Sequence, residues 1–354
     1  MGFGYSTTVF GEIVFNTGMV GYTEALTDPS YNGQILTLTY PLVGNYGVPD
    51  STVVDEDGIP KFFESDMIQI RGLVIHELSE TASHWNLKMT LDEWMYNEKV
   101  PGISGIDTRE VTKKLRSSGV MMAALVVSDE EIDIEQIKKE LGNVTKYNSE
   151  KFMDAVSTKE EKIYGNDNQS VVVIDTGAKN AIVRNVRELG YKAIVVPWNT
   201  SYDKVMSYKP KGVVLSSGPG DPENCSETID TAKNLIENNI PTLGICLGAQ
   251  IIGLAGNTET YKLKYGHRGQ NKPCINLETN QVYVTSQNHG YGIKPESLEQ
   301  SDFKLWFSNA DDDTVEGIKH KTRDCIAVQF HPEAAPGPFD CKYVFDELKK
   351  LMEK

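Results

Sequence analysis

The chain reads as an α/β protein in two parts: an N-terminal α+β domain, then a domain built on a mainly parallel, helix-flanked sheet. Three observations predict this. After residue 169, short apolar runs alternate regularly with stretches of helical length and periodicity. Before residue 140, β-prone runs are punctuated by Gly, Pro and Asn, with few helix starts. Between them lies a polar, charged stretch. The expected division is therefore a first domain over 1–140, a linker over 141–168 and a second domain over 169–354.

In the first part, GEIVFNTGMVGYTEALTDPSYNGQILTLTYPLVGNYG predicts strands and turns, and MIQIRGLVIHEL (67–78) a further strand. A short helix starts within 90–94. A second runs over 107–116, with Asp107 or Thr108 as N-cap and Gly119 just past its end. Residues 120–127 return as a strand. The charged run DEEIDIEQIKKELGN is expected as a surface helix, and STKEEKIYGNDNQ as connecting chain.

The second part is more regular. Strands are expected over 170–175, 192–196, 212–216 and 241–245. Helices are expected over 179–189, closed by Gly190, over 228–238, from 247 to 255, and over 340–352. In parallel sheets of this kind, ligands sit beyond the carboxyl ends of the strands. Gly218, Pro219, Gly220 and Cys246 all fall on that edge.

Composition narrows the function classes. The chain has 354 residues, 39% of them hydrophobic, with a net charge of −15. Clustered Lys and Arg for nucleic-acid binding are not in evidence. No apolar run is long enough to cross a bilayer, and no basic segment leads into an apolar core at the N-terminus, so a cytoplasmic location is expected. Five cysteines (225, 246, 274, 325 and 341) without a CxxC pair argue against a disulfide framework or a zinc site, and no metal is expected.

The chemistry centres on PTLGICLGAQ (241–250). An apolar strand, a cysteine and an apolar helix follow one another, with Gly244 and Gly248 two residues either side of Cys246. Small neighbours permit a tight turn there. The helix N-terminus favours a thiolate, and the first amide groups of the helix are available to an oxyanion. Alone, Cys246 could equally be a buried structural thiol.

A nucleophile needs a base and a group to orient it. Of six histidines, His331 ends the run CIAVQF and is followed by Pro332 and Glu333, which places an imidazole and a carboxylate on the sheet edge that carries Cys246. His289, in SQNHG, is the competing base; its polar turn reads as a substrate contact instead. His76 and His84 are expected to be structural or exposed. GPGDP (218–222) lacks the Lys-Ser/Thr of a phosphate loop and suits oxyanion binding better.

SSGPGDP, GICLGAQ, TSQNHGYGI and QFHPEAAPGP, in this order, resemble the class I (triad) glutamine amidotransferases. GEIVFNTGMVGYTEALTDPSYNGQILTLTYPLVGNYG and GIDTREVTKKLR are similar to the small, glutaminase subunits of carbamoyl phosphate synthetase, and the likeness covers nearly the whole chain. Other amidotransferases of the class, such as the anthranilate and guanylate synthase types, lack such an N-terminal domain.

This resemblance implies glutamine hydrolysis to glutamate and ammonia through a thioester, with Cys246 as nucleophile, His331 as proton shuttle and Glu333 as its orienting group. It carries glutamine contacts onto Ser30, Gly218, Gly220, Leu247, Gln250, Asn288, Gly290 and Tyr291, with Ser30 bringing the first domain to the site. It implies a large partner subunit that binds ATP and Mg and makes carbamoyl phosphate for arginine or pyrimidine biosynthesis; no cofactor is expected in this chain. The alternatives are a glutaminase subunit of another synthetase and a non-catalytic regulatory partner.

Two departures stand out. Ala249 occupies a position where the family usually has His; the triad does not use it, so activity is expected to survive, and what the change bears on is tuning of the turn or coupling to the partner. The family's opening strand is not visible, and a shortened edge of the first domain is expected.

Overall fold

The computed structural model describes residues 1–354. The chain divides into two compact units, Met1–Glu150 and Lys151–Lys354.

The first unit is built on a six-stranded sheet in the order Gly2–Gly4, Pro101–Ile103, Gly72–Val74, Gln34–Leu38, Thr8–Asn16 and Met121–Val126. The four inner strands run parallel to their neighbours and the two outer ones antiparallel. Strand alternation sends Leu36 and Leu73 into one apolar cluster, with Leu26, Leu91 and Met95, and sends Ile35, Val74 and Leu125 into the other. The two anticipated helices are present as Leu91–Asn97 and Thr108–Ser118. Thr90 and Glu93 form a reciprocal capping box on the first. Asp107 caps the second by accepting from the Glu110 N–H at 3.0 Å, and Gly119 ends it.

The strand anticipated over 67–78 is shorter than expected. Only Gly72–Val74 and Glu77–Leu78 are strands. Ile68 and Ile70 still point into the core, but the intervening amides of Gln69 and Arg71 donate to Leu26 and Gln34 carbonyls rather than to a continuous ladder.

The helix Ile134–Asn143, capped by Asp133, buries none of its residues, as its charged sequence requires. The stretch 141–168, anticipated as linker, is not featureless. It contains the turn Tyr147–Ser149, the short helix Met153–Val156 and the strand Lys162–Tyr164, which pairs antiparallel with Lys192–Pro197 in the second unit.

The second unit carries a ten-stranded sheet. Its centre is parallel: Cys325–Val328, Thr242–Ile245, Gly212–Leu215, Ser170–Asp175 and Lys192–Pro197, in that spatial order. These strands are mostly Val, Ile, Leu and Ala, as a sheet covered by helices demands. Helices Asn180–Glu188, Leu247–Ala255 and Ser226–Glu237 pack in this unit against the parallel strands or each other, and Tyr343–Met352 closes the chain. No helix is long and apolar enough to cross a membrane.

Beyond Cys325–Val328 the sheet continues as an antiparallel arm: Val315–His320, Phe303–Asn309, Thr260–Asn276 and Gln281–Ile293. The segment TSQNHGYGI, anticipated as strand followed by a turn, lies entirely inside the last of these. Its polar side chains are carried by a strand because Thr260–Asn276 pairs along its length, His267 opposite His289 and Arg268 opposite Asn288.

Candidate active site

Cys246 lies where Thr242–Ile245 passes directly into Leu247–Ala255. Its backbone has φ 54° and ψ −105°, a left-handed conformation that costs a non-glycine residue free energy and is retained where the surroundings enforce it. The enforcement is visible. The Cys246 N–H donates to the Val328 carbonyl at 2.9 Å, and its own carbonyl accepts from Ala249 and Gln250.

The flanking glycines are required by close approach. A Cβ on Gly244 would stand 2.6 Å from the Gly248 carbonyl oxygen, and one on Gly248 only 2.2 Å from that of Leu215. The Gly248 N–H donates to the Ser216 carbonyl at 3.0 Å. With Gly248, Ala249 and Gln250 amides so engaged, the Leu247 N–H is the remaining donor of the first helical turn.

The loop after Gly212–Leu215 is pinned by hydroxyls. Thr176 Oγ1 donates among the Ser216 and Ser217 carbonyls at 3.0 Å, and the Thr176 N–H donates to Ser216 Oγ at 3.0 Å. Gly218 packs so tightly against this junction that a Cβ would lie 1.9 Å from the Thr176 carbonyl oxygen. Gly220 follows at φ +93° against Phe152.

His331 and Glu333 sit beyond the neighbouring parallel strand. The pairing of Ile245 with Val328 aligns the ends of the two strands, so Cys246 and the 329–333 segment leave the sheet on the same edge. The His331 N–H is anchored to the Ser286 carbonyl at 2.9 Å. Its Nδ1 is 2.6 Å from Glu333 Oε1, and Nε2 has no hydrogen-bond partner. Because the carboxylate must accept, Nδ1 carries the proton and Nε2 is left to face chemistry. Cys246 is close enough to act electrostatically on the imidazole, and its Sγ lies 3.5 Å from the Asn288 carbonyl oxygen.

Lys179, a residue to which the sequence reading assigned no role, completes this arrangement. It is buried at the start of Asn180–Glu188, with Nζ 3.0 Å from Glu333 Oε1 and hydrogen-bonded to the Ala334 carbonyl. Burial alone would raise the Glu333 carboxyl; the charges of Lys179 and His331 outweigh it and hold the group well below the usual carboxylate range. Burial alone would lower His331; Glu333 outweighs it and raises the imidazole above its ordinary value, against opposition from Lys179. The available signal for Lys179 was positional: it follows the strand SVVVID on the same carboxyl edge as Cys246.

The remaining anticipated contacts are divided. Gln250 is buried and donates its amide to the Tyr291 carbonyl at 2.8 Å and to Gln329 Oε1 at 3.0 Å, so it ties the helix after Cys246 to the strand carrying Asn288, Gly290 and Tyr291. Gly218 and Gly220 lie on the adjoining loop. Ser30 is in the first unit, within the turn Pro29–Tyr31 that Asp28 caps. Ala249 is buried on the helix that starts after Cys246. His289 is fully enclosed, with Nδ1 hydrogen-bonded to the Tyr291 carbonyl of its own strand. His76 and His84 are exposed.

Residues 172–351 match the family described as Glutamine amidotransferase class-I, and residues 1–125 match Carbamoyl-phosphate synthase small chain, CPSase domain. The chain is 46% identical over 354 residues to the carbamoyl phosphate synthase small chain of Pyrococcus furiosus, covering 99% of this chain and 94% of the relative.

The chain belongs to the carbamoyl phosphate synthase small-chain family.

It is likewise 46% identical over 358 residues to the small chain of Methanocaldococcus jannaschii, covering 100% of this chain and 95% of that one. The same description holds for a relative in Sulfurisphaera tokodaii, at 45% identity over 354 residues. The small-chain family thus accounts for both units, and its amidotransferase segment includes every group assembled around Cys246.

Proposed function

We propose that the chain hydrolyses glutamine to glutamate and ammonia with Cys246, His331 and Glu333 as a catalytic triad. The observation that carries this reading is the strained cysteine at a strand-to-helix turn, with a carboxylate-oriented imidazole leaving the sheet beside it.

In the first step, the Cys246 thiolate, its proton held by His331 as imidazolium, bonds through sulfur to the glutamine side-chain carbonyl carbon. The carbonyl π electrons move to oxygen, and the Leu247 N–H and the Gly218–Gly220 loop stabilise that charge. The imidazolium then gives its proton to the amide nitrogen, the C–N bond breaks, and ammonia leaves a thioester. Water attacks the thioester and passes a proton to His331. The C–S bond breaks, glutamate departs, and the Cys246 thiolate and His331 imidazolium are restored. Glu333 holds the ring through Nδ1 throughout, and Lys179 keeps that carboxylate ionised.

The glutamine contacts of this reading in the second unit are Gly218, Gly220, Leu247, Gln250, Asn288, Gly290 and Tyr291. The ammonia is supplied to a large ATP-dependent, Mg-dependent partner chain that makes carbamoyl phosphate for arginine or pyrimidine biosynthesis in the cytoplasm. Similarity to proteins named small chains supports a heteromeric partner.

The test reconstitutes this chain with the large chain co-purified from its source. Cys246→Ser is expected to abolish glutamine-dependent carbamoyl phosphate synthesis while leaving ammonia-dependent synthesis intact. Unchanged glutamine-dependent synthesis in that variant would overturn the assignment.

A further inference from the structure

A second group of buried polar side chains lies in the antiparallel arm of the same unit. His267 and His289 face each other across the paired strands Thr260–Asn276 and Gln281–Ile293, with ring centroids 5.0 Å apart and planes at 85°. Glu316, from Val315–His320, is fully buried (0% exposed) beside them. One ligand-capable atom from each of the three lies within 4.8 Å of the others. The sequence reading expected no metal, and three residues from three strands give no spacing motif to contradict it.

The placement of protons makes this group unusual. His267 Nε2 is 2.8 Å from Asp312 Oδ2, and a carboxylate can only accept, so Nε2 is the protonated nitrogen. His267 Nδ1 stands 3.5 Å from Glu316 Oε1 without a hydrogen bond. Burial alone would lower this imidazole; the Glu316 and Asp312 carboxylates outweigh it and raise the group above its ordinary value. His289 Nδ1 is 2.7 Å from the Tyr291 carbonyl oxygen and must donate to it. That leaves His289 Nε2 as an acceptor, yet its neighbour at 3.3 Å is Gln287 Oε1, another acceptor. The Gln287 amide is oriented this way because its NH2 donates to Cys274 Sγ and Thr285 Oγ1. Glu316 Oε1 accepts from Asn309 at 2.9 Å, and Oε2 has no partner at all.

Three potential ligand atoms, one each from His267, His289 and Glu316, therefore lie within 4.8 Å of one another in a buried region. A buried carboxylate with an unpartnered oxygen carries a large desolvation cost unless a charge offsets it. Two imidazoles and a carboxylate are a donor set suited to zinc and related first-row divalent ions. Each histidine has its other nitrogen hydrogen-bonded, one to a carboxylate and one to a backbone carbonyl, which is how metal-ligating histidines are commonly oriented.

We propose that His267, His289 and Glu316 bind one divalent cation of the zinc class, with Asp312 and the Tyr291 carbonyl fixing the two imidazoles. Tetrahedral coordination at about 2.0–2.1 Å per bond sets ligand atoms about 3.4 Å apart, so the side chains draw together by about an ångström on binding. The cation cross-links the strand bearing Asn288 to its neighbour Thr260–Asn276 and to Val315–His320, further along the arm. It is structural and takes no part in the thioester chemistry, so the proposal stands or falls apart from the triad.

The test uses the full chain carrying Cys246→Ser, which removes the thiol near His331 as a competing zinc ligand. The protein is stripped with chelator, loaded with zinc sulfate, gel-filtered and assayed for bound metal. The expected result is about one zinc per chain, a melting temperature that rises with zinc, and visible absorption of tetrahedral Co2+ when cobalt replaces it. Adding Glu316→Gln, close to isosteric, should abolish stoichiometric zinc. Asp312→Asn, at a half-exposed position, should weaken binding by about 10- to 100-fold. Zinc at background level in the loaded parent, or equal zinc in parent and Glu316→Gln, would overturn the proposal and leave an imidazolium ion pair as the role of His267.

Discussion

His331 and Glu333 stand 2.6 Å apart, Nδ1 to Oε1, both buried and only two residues apart in sequence. The carboxylate fixes the tautomer, the ring orientation and the protonation preference of the imidazole together. The proton-transfer role proposed for His331 depends on all three.

This pair has a signed pH dependence. Glu333 is depressed in the folded state, so its contribution is present above 4.5 and lost as pH falls toward about 2. His331 is raised, so its contribution is fully present below 6.5 and lost as pH rises toward about 10. The difference in melting temperature between the parent and Glu333→Gln should therefore be largest between about pH 5 and 6.5 and shrink on both sides. A difference independent of pH would contradict this coupling.

The same shift revises a simple expectation for activity. From sequence, glutamine hydrolysis would rise as His331 loses its proton near its ordinary value. With Glu333 in contact, that loss is displaced upward. Nitrogen-15 spectra of labelled His331 should show an imidazolium at neutral pH, and Glu333→Gln should lower the midpoint of its titration. A neutral ring at neutral pH in the parent would count against the electrostatics described.

Lys179 is expected to be as sensitive as the triad. Lys179→Met leaves the Glu333 carboxylate buried with one cationic partner fewer. Breaking a buried pair from one side typically costs about 3–5 kcal/mol. Denaturant titration should show a loss of this order together with reduced glutamine turnover. A variant of parental stability would mean that the ion pair contributes little.

Gly248→Ala tests the turn itself. Its new methyl group would lie 2.2 Å from the Leu215 carbonyl oxygen, so backbone must move. Overpacking of this kind costs about 1–3 kcal/mol, and an ångström of misplacement can reduce turnover by about 100-fold. Alanine in place of Gly142, a helical position where a Cβ meets nothing within 4 Å, is the control and should lose neither stability nor turnover. Equal effects at the two positions would refute the packing argument.

The sequence made part of this legible for physical reasons. The turn around Cys246 was readable because close backbone approach admits only small residues, and the parallel core because doubly covered strands are apolar throughout. His331 and Glu333 were readable as neighbours along the chain. Lys179 was not, since its partner lies 154 positions away and only the fold unites them. The strand character of 287–292 was hidden by its polarity, because its stabilisation comes from pairing with Thr260–Asn276 rather than from apolar alternation. Ile68 and Ile70 misled in the opposite sense: their alternation is real, but no neighbouring strand completes a ladder there.

The most direct test of the triad is covalent trapping with the glutamine analogue 6-diazo-5-oxo-L-norleucine, followed by peptide mass spectrometry of the full chain. A single adduct on the peptide containing Cys246, absent from Cys246→Ser and slowed in Glu333→Gln, is the predicted result. An adduct on Cys225, Cys274, Cys325 or Cys341 instead, or labelling that persists in Cys246→Ser, would contradict it.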